Sequence, residues 1–354
     1  MAFTDPCFCV QCFPGFCIRQ GDFPLQGSEG TFFAEQYIDP FNTIPERRVI
    51  HSHAICPPFH PIPPRPAVRA RSMSYALNED SPGDRGNAQF LAVAADLAYL
   101  PAAQGQAKFQ QELGLTAQLI SHGNTQAYVA GNDDNLVLAF RGTESPTGIE
   151  GLKDWLLTNA LNLLVVPEGR LGTDLAAAGV GARFHQGFVT AIESVWPDVL
   201  KLVEAEQQRL ERPIWVTGHS LGGALALLAG WLLTRKMLSV TQIVTFGAPM
   251  IGNQLAVDAI NREFGNKISR FVTPPDPVPR LPMYSFVANE FVHCDREVPV
   301  SQAGAEDPTT AFFHSLAKNA VETLMSATLV DDLWKGIRGG IAAHGMDNYR
   351  KLLG

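Results

Sequence analysis

Five consecutive residues, Gly218-His219-Ser220-Leu221-Gly222, hold the most informative chemistry in this chain. The pattern is Gly-x-Ser-x-Gly. An apolar, β-branched run, Ile214-Trp215-Val216-Thr217, precedes it, and the apolar stretch from Gly223 to Leu233 follows. The first run reads as a strand and the second as a buried helix. The serine therefore sits on a sharp strand-to-helix turn, a nucleophile elbow. The flanking glycines suit a turn too tight for Cβ atoms. The helix N-terminus behind the serine offers free N–H groups to a developing negative charge. Together these features suit attack by the Ser220 hydroxyl on an acyl carbonyl. The bare five-residue pattern is common by chance, so the strand and helix around it carry the weight.

A serine hydroxyl near neutral pH is a weak nucleophile. It needs a base, and the base needs an orienting acid. Behind such an elbow the acid and then the base follow in chain order. Asp276 suits the acid: it lies past a strand over residues 268–273, in Pro274-Pro275-Asp276-Pro277-Val278-Pro279-Arg280-Leu281-Pro282. Prolines on both sides stiffen that loop, although a polar residue of a proline-rich turn would look the same. Three histidines follow: His293, His314 and His344. Phe291-Val292-His293-Cys294 alternates like a strand, which argues for a packed residue, and His314 opens a helix. His344 lies in Gly339-Gly340-Ile341-Ala342-Ala343-His344-Gly345, read as a flexible loop before the last helix. A base that serves both serine and leaving group fits a loop best, so His344 is preferred and His293 is the alternative. For the oxyanion, one donor is the Leu221 N–H. The other is expected from Phe140-Arg141-Gly142-Thr143-Glu144-Ser145, where Thr143 offers an N–H and a hydroxyl.

The elements that must position these groups are legible as periodicities. Residues 87–100 have helical spacing. Residues 117–121, 125–130 and 135–140 read as strands, the last two joined by the tight turn Gly131-Asn132-Asp133-Asp134. Residues 188–210 form an amphipathic helix with Ile192, Val195, Val199, Leu200 and Val203 on one face. Strand 214–217 and helix 222–237 follow, then strands 242–246 and 268–273. Residues 312–325 and 347–353 look helical. Strands alternating with helices predict an α/β chain with a mostly parallel central sheet and helices on both faces.

Composition narrows the function classes. The chain has 354 residues, 46% hydrophobic and 18% charged, enough for a large core. The formal net charge is −8, with no lysine- or arginine-rich run, which disfavours nucleic acid as a partner. The most apolar stretch, residues 221–233, falls short of the ~20 residues needed to span a bilayer, so no transmembrane segment is expected. Residues 1–70 differ from the rest: they carry Cys7, Cys9, Cys12 and Cys17, and a proline-rich run over residues 57–66. They read as an extension without its own core, leaving 71–354 as the compact domain. His51, His53, Cys56 and His60 add to the zinc candidates there. Only Cys9 and Cys12 have C-x2-C spacing, so no metal is assigned. The first twenty residues lack a basic region followed by an apolar one, and no Asn-x-Ser/Thr sequon occurs. The expectation is a cytoplasmic protein or one exported by another route.

In order along the chain, Ala139-Phe140-Arg141-Gly142-Thr143, Asp154-Trp155, His185-Gln186-Gly187-Phe188, Gly218-His219-Ser220-Leu221-Gly222-Gly223-Ala224, Thr245-Phe246-Gly247-Ala248-Pro249, Asp276-Pro277-Val278-Pro279-Arg280-Leu281-Pro282 and His344 resemble the fungal-type (class 3) lipases. The resemblance covers roughly residues 85–354. It implies an α/β-hydrolase fold, hydrolysis of lipid carboxylesters, triacylglycerols first, and no cofactor. It implies Ser220 as nucleophile, Asp276 as acid and His344 as base, with Thr143 and Leu221 at the oxyanion. The chain departs from the secreted members in its extension, its missing leader and a longer segment between Thr143 and Trp155.

That segment, residues 145–160, places Ile149, Leu152, Leu156 and Ala160 at spacings of three and four, with Trp155 beside them. It reads as a short amphipathic helix. In the resembling family this position is a helical lid, which implies a lipid–water interface as partner. The alternatives are an esterase or phospholipase on the same fold, or a catalytically silent lipid-binding or scaffold protein. The intact serine, aspartate and histidine argue against the last.

Overall fold

The computed structural model describes residues 76–143, 164–166, 168–281, 291–301 and 340–354. The helices are α1 (Arg85–Leu97), α2 (Ala102–Lys108, continued by a π turn over Phe109–Leu113), α3 (Gly172–Ala176), α4 (Gln186–Arg209), α5 (Leu221–Arg235), α6 (Gln254–Phe264), α7 (Ile341–His344) and α8 (Met346–Leu353). The strands are β1 (Thr116–His122), β2 (Thr125–Gly131), β3 (Leu136–Phe140), β4 (Leu164–Val165), β5 (Phe184–His185), β6 (Ile214–His219), β7 (Val240–Phe246), β8 (Gly252–Asn253), β9 (Ile268–Val272), β10 (Phe291–Val292) and β11 (Glu297–Pro299).

The main sheet has the order β1-β2-β3-β6-β7-β9-β11. β1, β2 and β3 form an antiparallel meander. From β3 onward every pairing is parallel. β3 and β6 are buried throughout, as strands covered on both faces must be. Their alternation assigns each face: Leu136, Leu138, Phe140, Ile214 and Val216 join the core under α4 and α5. Val137, Ala139 and Trp215 join the opposite core with α1 and α8. This is the predicted α/β-hydrolase architecture, a mostly parallel sheet between two helical layers. β10, β8, β5 and β4 make a second, small antiparallel sheet.

Helix α5 is buried at every position from Gly222 to Leu233, which explains its all-apolar sequence. Helix α4 buries Phe188, Ile192, Val195, Val199 and Val203 and exposes the opposite face. The Asp84 carboxylate caps α1 through the Gly86 and Asn87 N–H groups. The turn before β3 is an Asx turn, with Asn132 Oδ1 accepting from the N–H groups of Asp134 and Asn135. Among the described residues no helix is long and apolar enough to cross a membrane. Residues 1–70 and the helix expected over 312–325 lie outside the described residues.

Candidate active site

β6 ends at His219 and α5 begins at Leu221, so Ser220 alone makes the turn. Its φ and ψ are 57° and −131°. A backbone like this in a non-glycine residue costs on the order of 1–3 kcal/mol and persists only where the surroundings over-determine it. They do so here. The Ser220 N–H donates to the Phe246 carbonyl at the end of β7, and the Ser220 carbonyl accepts from the Gly223 N–H, each at 2.9 Å. A Cβ on Gly218 would overlap the Gly222 carbonyl, and one on Gly222 would overlap the Phe140 carbonyl. The two glycines thus let three backbones crowd beneath the serine, as the spacing predicted.

The Asp276 side chain lies in the turn after β9, where the Asp276 N–H donates to the Thr273 carbonyl at 2.9 Å. Its carboxylate is 1% exposed and accepts from the Val278 N–H at 2.9 Å. His344 Nδ1 lies 3.0 and 2.9 Å from the two carboxylate oxygens. A carboxylate only accepts, so Nδ1 carries the hydrogen and Nε2 is the basic nitrogen. That Nε2 is buried and has no hydrogen-bond partner among the described residues. A Cβ on Gly247 would meet Asp276 Oδ2 at 2.7 Å and His344 Nδ1 at 3.0 Å. Gly247 directly follows Phe246, whose carbonyl holds the Ser220 N–H. The acid–base pair and the serine are therefore seated on the same strand end. The His344 ring lies 4.6 Å, centre to centre, from the ring of His219 beside the serine.

The seat of His344 corrects one expectation. Residues 341–344 are the short helix α7 rather than a flexible loop, and His344 is 7% exposed. The flanking glycines that suggested a loop bound a single helical turn, which Ile341 anchors by burial. The base is thus held, not swinging. His293, the alternative, is bonded to the Pro279 carbonyl through Nε2. Since a carbonyl only accepts, Nε2 is the donor. Burial and then the Arg270 charge push its pKa down to about 3, so it serves as a neutral prop for the Asp276 loop. His314 lies outside the described residues.

The oxyanion candidates lie on two elements. Leu221 is the first residue of α5, where N–H groups lack intrahelical acceptors and the helix dipole is positive. Thr143 follows β3, and its hydroxyl is buried without a hydrogen-bond partner among the described residues. The loop reaches the serine at Gly142, where a Cβ would lie 3.1 Å from Ser220 Cβ. Arg141 pins this loop: its N–H donates to the Gln126 carbonyl at 3.0 Å and its guanidinium to the Asn124 carbonyl at 2.6 Å. The lid candidates Ile149, Leu152, Trp155 and Leu156 lie outside the described residues.

One residue was not singled out from the sequence. Tyr349 of α8 is fully buried and donates its hydroxyl to Asp276 Oδ2 at 2.6 Å, while the Thr273 N–H donates to the same hydroxyl at 3.3 Å. Burial, then the Asp276 charge, pushes the Tyr349 phenol well above its usual range, so it stays a donor. Its only sequence signal was a tyrosine five residues after His344. The whole arrangement can activate a serine, pass its proton through one imidazole and neutralise an oxyanion.

The family model described as Lipase (class 3) matches residues 137–286. The chain is 31% identical to the chloroplastic phospholipase A1-Igamma2 of Arabidopsis thaliana, over 46% of this chain and 35% of that protein. It is 36% identical to the secreted mono- and diacylglycerol lipase 1 of Fusarium solani, over 33% of this chain and 34% of that one. The chain thus spans about a third of the length of these curated relatives. The crystal structure of the mono- and diacylglycerol lipase of Aspergillus oryzae superposes with a TM-score of 0.50 at 24% identity, covering 63% of this chain and 82% of that one, a likeness of fold.

Proposed function

We propose, from the match of residues 137–286 to the class 3 lipase family model, that residues 71–354 form a serine carboxylester hydrolase acting on acylglycerols, triacylglycerols first. One observation carries the reading: a buried imidazole, hydrogen-bonded through Nδ1 to a buried carboxylate, with its Nε2 unclaimed and its ring packed on His219, the residue before a strained serine.

In this reading His344 Nε2 takes the Ser220 proton as Oγ attacks the ester carbonyl. The Leu221 N–H and Thr143 hold the oxyanion. Asp276 stabilises the imidazolium without itself taking the proton. The imidazolium protonates the departing alcohol, leaving an acyl-serine. Water, deprotonated by His344, then attacks the acyl-serine, and the acid and the free serine are regenerated. No step requires a metal or an organic cofactor. The same proposal gives residues 145–160, with the apolar Ile149, Leu152, Trp155 and Leu156, the role of a lid at a lipid surface.

The test is hydrolysis of p-nitrophenyl esters of graded chain length by the wild type and by Ser220→Ala. Turnover that disappears in the variant supports the reading, and turnover that survives contradicts it. Phospholipids are the second reading, because the Arabidopsis relatives are named as phospholipases A1. Release of fatty acid from phosphatidylcholine vesicles against triacylglycerol emulsions ranks the two. A rate that does not rise above the critical micelle concentration of a short-chain ester would remove the lid from the account.

A further inference from the structure

Two polar side chains beside the serine have no part in the chemistry above: Tyr99, just past the end of α1, and His219, the residue before the nucleophile. They are bonded to each other, with Tyr99 Oη 2.8 Å from His219 Nδ1. His219 Nε2 lies 2.6 Å from the backbone carbonyl of His344. At the other end the Tyr99 hydroxyl lies against Gly142 of the oxyanion loop, where a Cβ would come 2.1 Å from Oη. The direction of every bond follows from its acceptor. A carbonyl cannot donate, so His219 Nε2 carries the hydrogen. Burial, then the neighbouring His344 ring, holds His219 well below its usual pKa, so the ring is neutral. Nδ1 is then the acceptor and takes the Tyr99 hydroxyl hydrogen. Donation runs one way, from the Tyr99 hydroxyl through His219 to the His344 carbonyl, an arrangement in which each bond polarises the next.

Both ends of this chain meet the reacting machinery. One packs against the loop that carries Thr143, and the other is bonded to the backbone of the base itself. The middle is rigid. His219 is 5% exposed and wedged between the elbow and α7. Gly142 has no room for a side chain, since a Cβ there would overlap Tyr99 Oη and lie 2.8 Å from the His219 carbonyl. Tyr99 is anchored on both sides by Gln126, whose amide donates to the Ala98 and Leu100 carbonyls at 2.8 and 3.0 Å. A pair that merely satisfied its own hydrogen bonds could end on any carbonyl. This one ends on the His344 backbone. The neighbouring bond to that helix, from Asn348 Nδ2 to the Ala343 carbonyl, is local.

We propose that Tyr99 and His219 are positioning residues, a strut that sets the base and the oxyanion loop at a common distance from Ser220. The assignment rests on the functional reading above. Neither side chain touches the reacting atoms, and no proton passes along the strut. Its effect is geometric: a displacement of about 1 Å in a reacting group costs on the order of a hundredfold in rate.

The experiment is steady-state hydrolysis of p-nitrophenyl butyrate by the full chain, with thermal melting on the same samples. The variants are Tyr99→Phe, His219→Leu, His219→Gln and Ser220→Ala. Tyr99→Phe is expected to lower kcat about tenfold, with KM unchanged within about twofold and melting within about 2 °C. His219→Leu is expected to lower kcat up to about a hundredfold. His219→Gln, whose amide nitrogen reaches toward the His344 carbonyl, recovers most of that loss. If His219→Leu does not fold, Tyr99→Phe decides. A wild-type kcat in Tyr99→Phe, or a His219→Gln no better than His219→Leu, overturns the strut. Ser220→Ala separates the two ideas. If it is inactive while the strut variants match wild type, only the strut fails. If it stays active, the functional reading fails first.

Discussion

The serine and the histidine of this site are held in opposite ways. Ser220 is fixed by crowded backbone: the two glycines at ±2 let the strand end and the helix start close in, with the Phe246 and Phe140 carbonyls packed against the turn. His344 is fixed by residues far away along the chain. Its imidazole bonds Asp276, 68 positions distant, and its backbone carbonyl bonds His219, 125 positions distant. Local crowding stores strain at the nucleophile. Long-range hydrogen bonds, with Tyr349 behind the acid, set the base. The first kind of restraint is steric and fails abruptly, whereas the second is polar and fails by degrees.

Substitutions should reproduce that contrast. The largest effect is chemical: Ser220→Ala or His344→Ala should lower ester turnover on the order of 10⁴- to 10⁶-fold with the fold intact by circular dichroism. Next are the steric restraints. Gly218→Ala and Gly222→Ala drive a Cβ into backbone carbonyls that have nowhere to go. Each should cost more than ~3 kcal/mol of stability, read from urea midpoints. Gly114→Ala is the control: it has open space at φ +66° and should cost only about 1 kcal/mol. If the elbow glycines behave like Gly114, the steric half of the contrast is wrong.

The polar restraints should respond more gently. Tyr349→Phe removes one hydrogen bond to a carboxylate that keeps two other donors. A loss of about tenfold in kcat/KM is expected, on the scale of one charged hydrogen bond. A loss as large as that of His344→Ala would mean that the phenol does more than orient the acid. The last effect concerns pH and stability rather than rate. His185, at the junction of β5 and α4, is 1% exposed, and burial lowers its pKa to about 4. Between the usual 6.5 and about 4 the unfolded chain binds a proton that the folded chain refuses. Stability should therefore fall as pH drops through that window, by about 1.4 kcal/mol per unit, and be independent of this group above it. Urea midpoints at pH 7, 6 and 5 should show the slope, and His185→Gln should lessen it by this one group's share, leaving those of His219 and His293.

What the amino-acid sequence disclosed follows the same division. The elbow was legible because its cause is local: β-branched strand, glycine spacing and apolar helix adjoin one another. The long strands and α4 were legible through burial periodicity. Helix α6 went unread although Asn253 caps it and Ala256, Val257, Ile260 and Phe264 line its buried face. That signal was present and comparable to α4 but shorter. The two-residue strands β4, β5, β8 and β10 are too brief for any period. Glycines at 340 and 345 suggested a loop around His344, where they in fact delimit one turn of helix. Tyr349, Tyr99 and the inner partner of His219 were illegible for a different reason. Each is an ordinary aromatic residue until a carboxylate, an imidazole or a carbonyl from a distant segment arrives beside it.

The central claim is that one serine, at position 220, is made nucleophilic by the imidazole at 344. A fluorophosphonate probe followed by peptide mass spectrometry tests it most directly. The account predicts a single adduct on Ser220 in the wild type and a loss of labelling in His344→Ala. An adduct on another residue, or undiminished labelling without the imidazole, would contradict it.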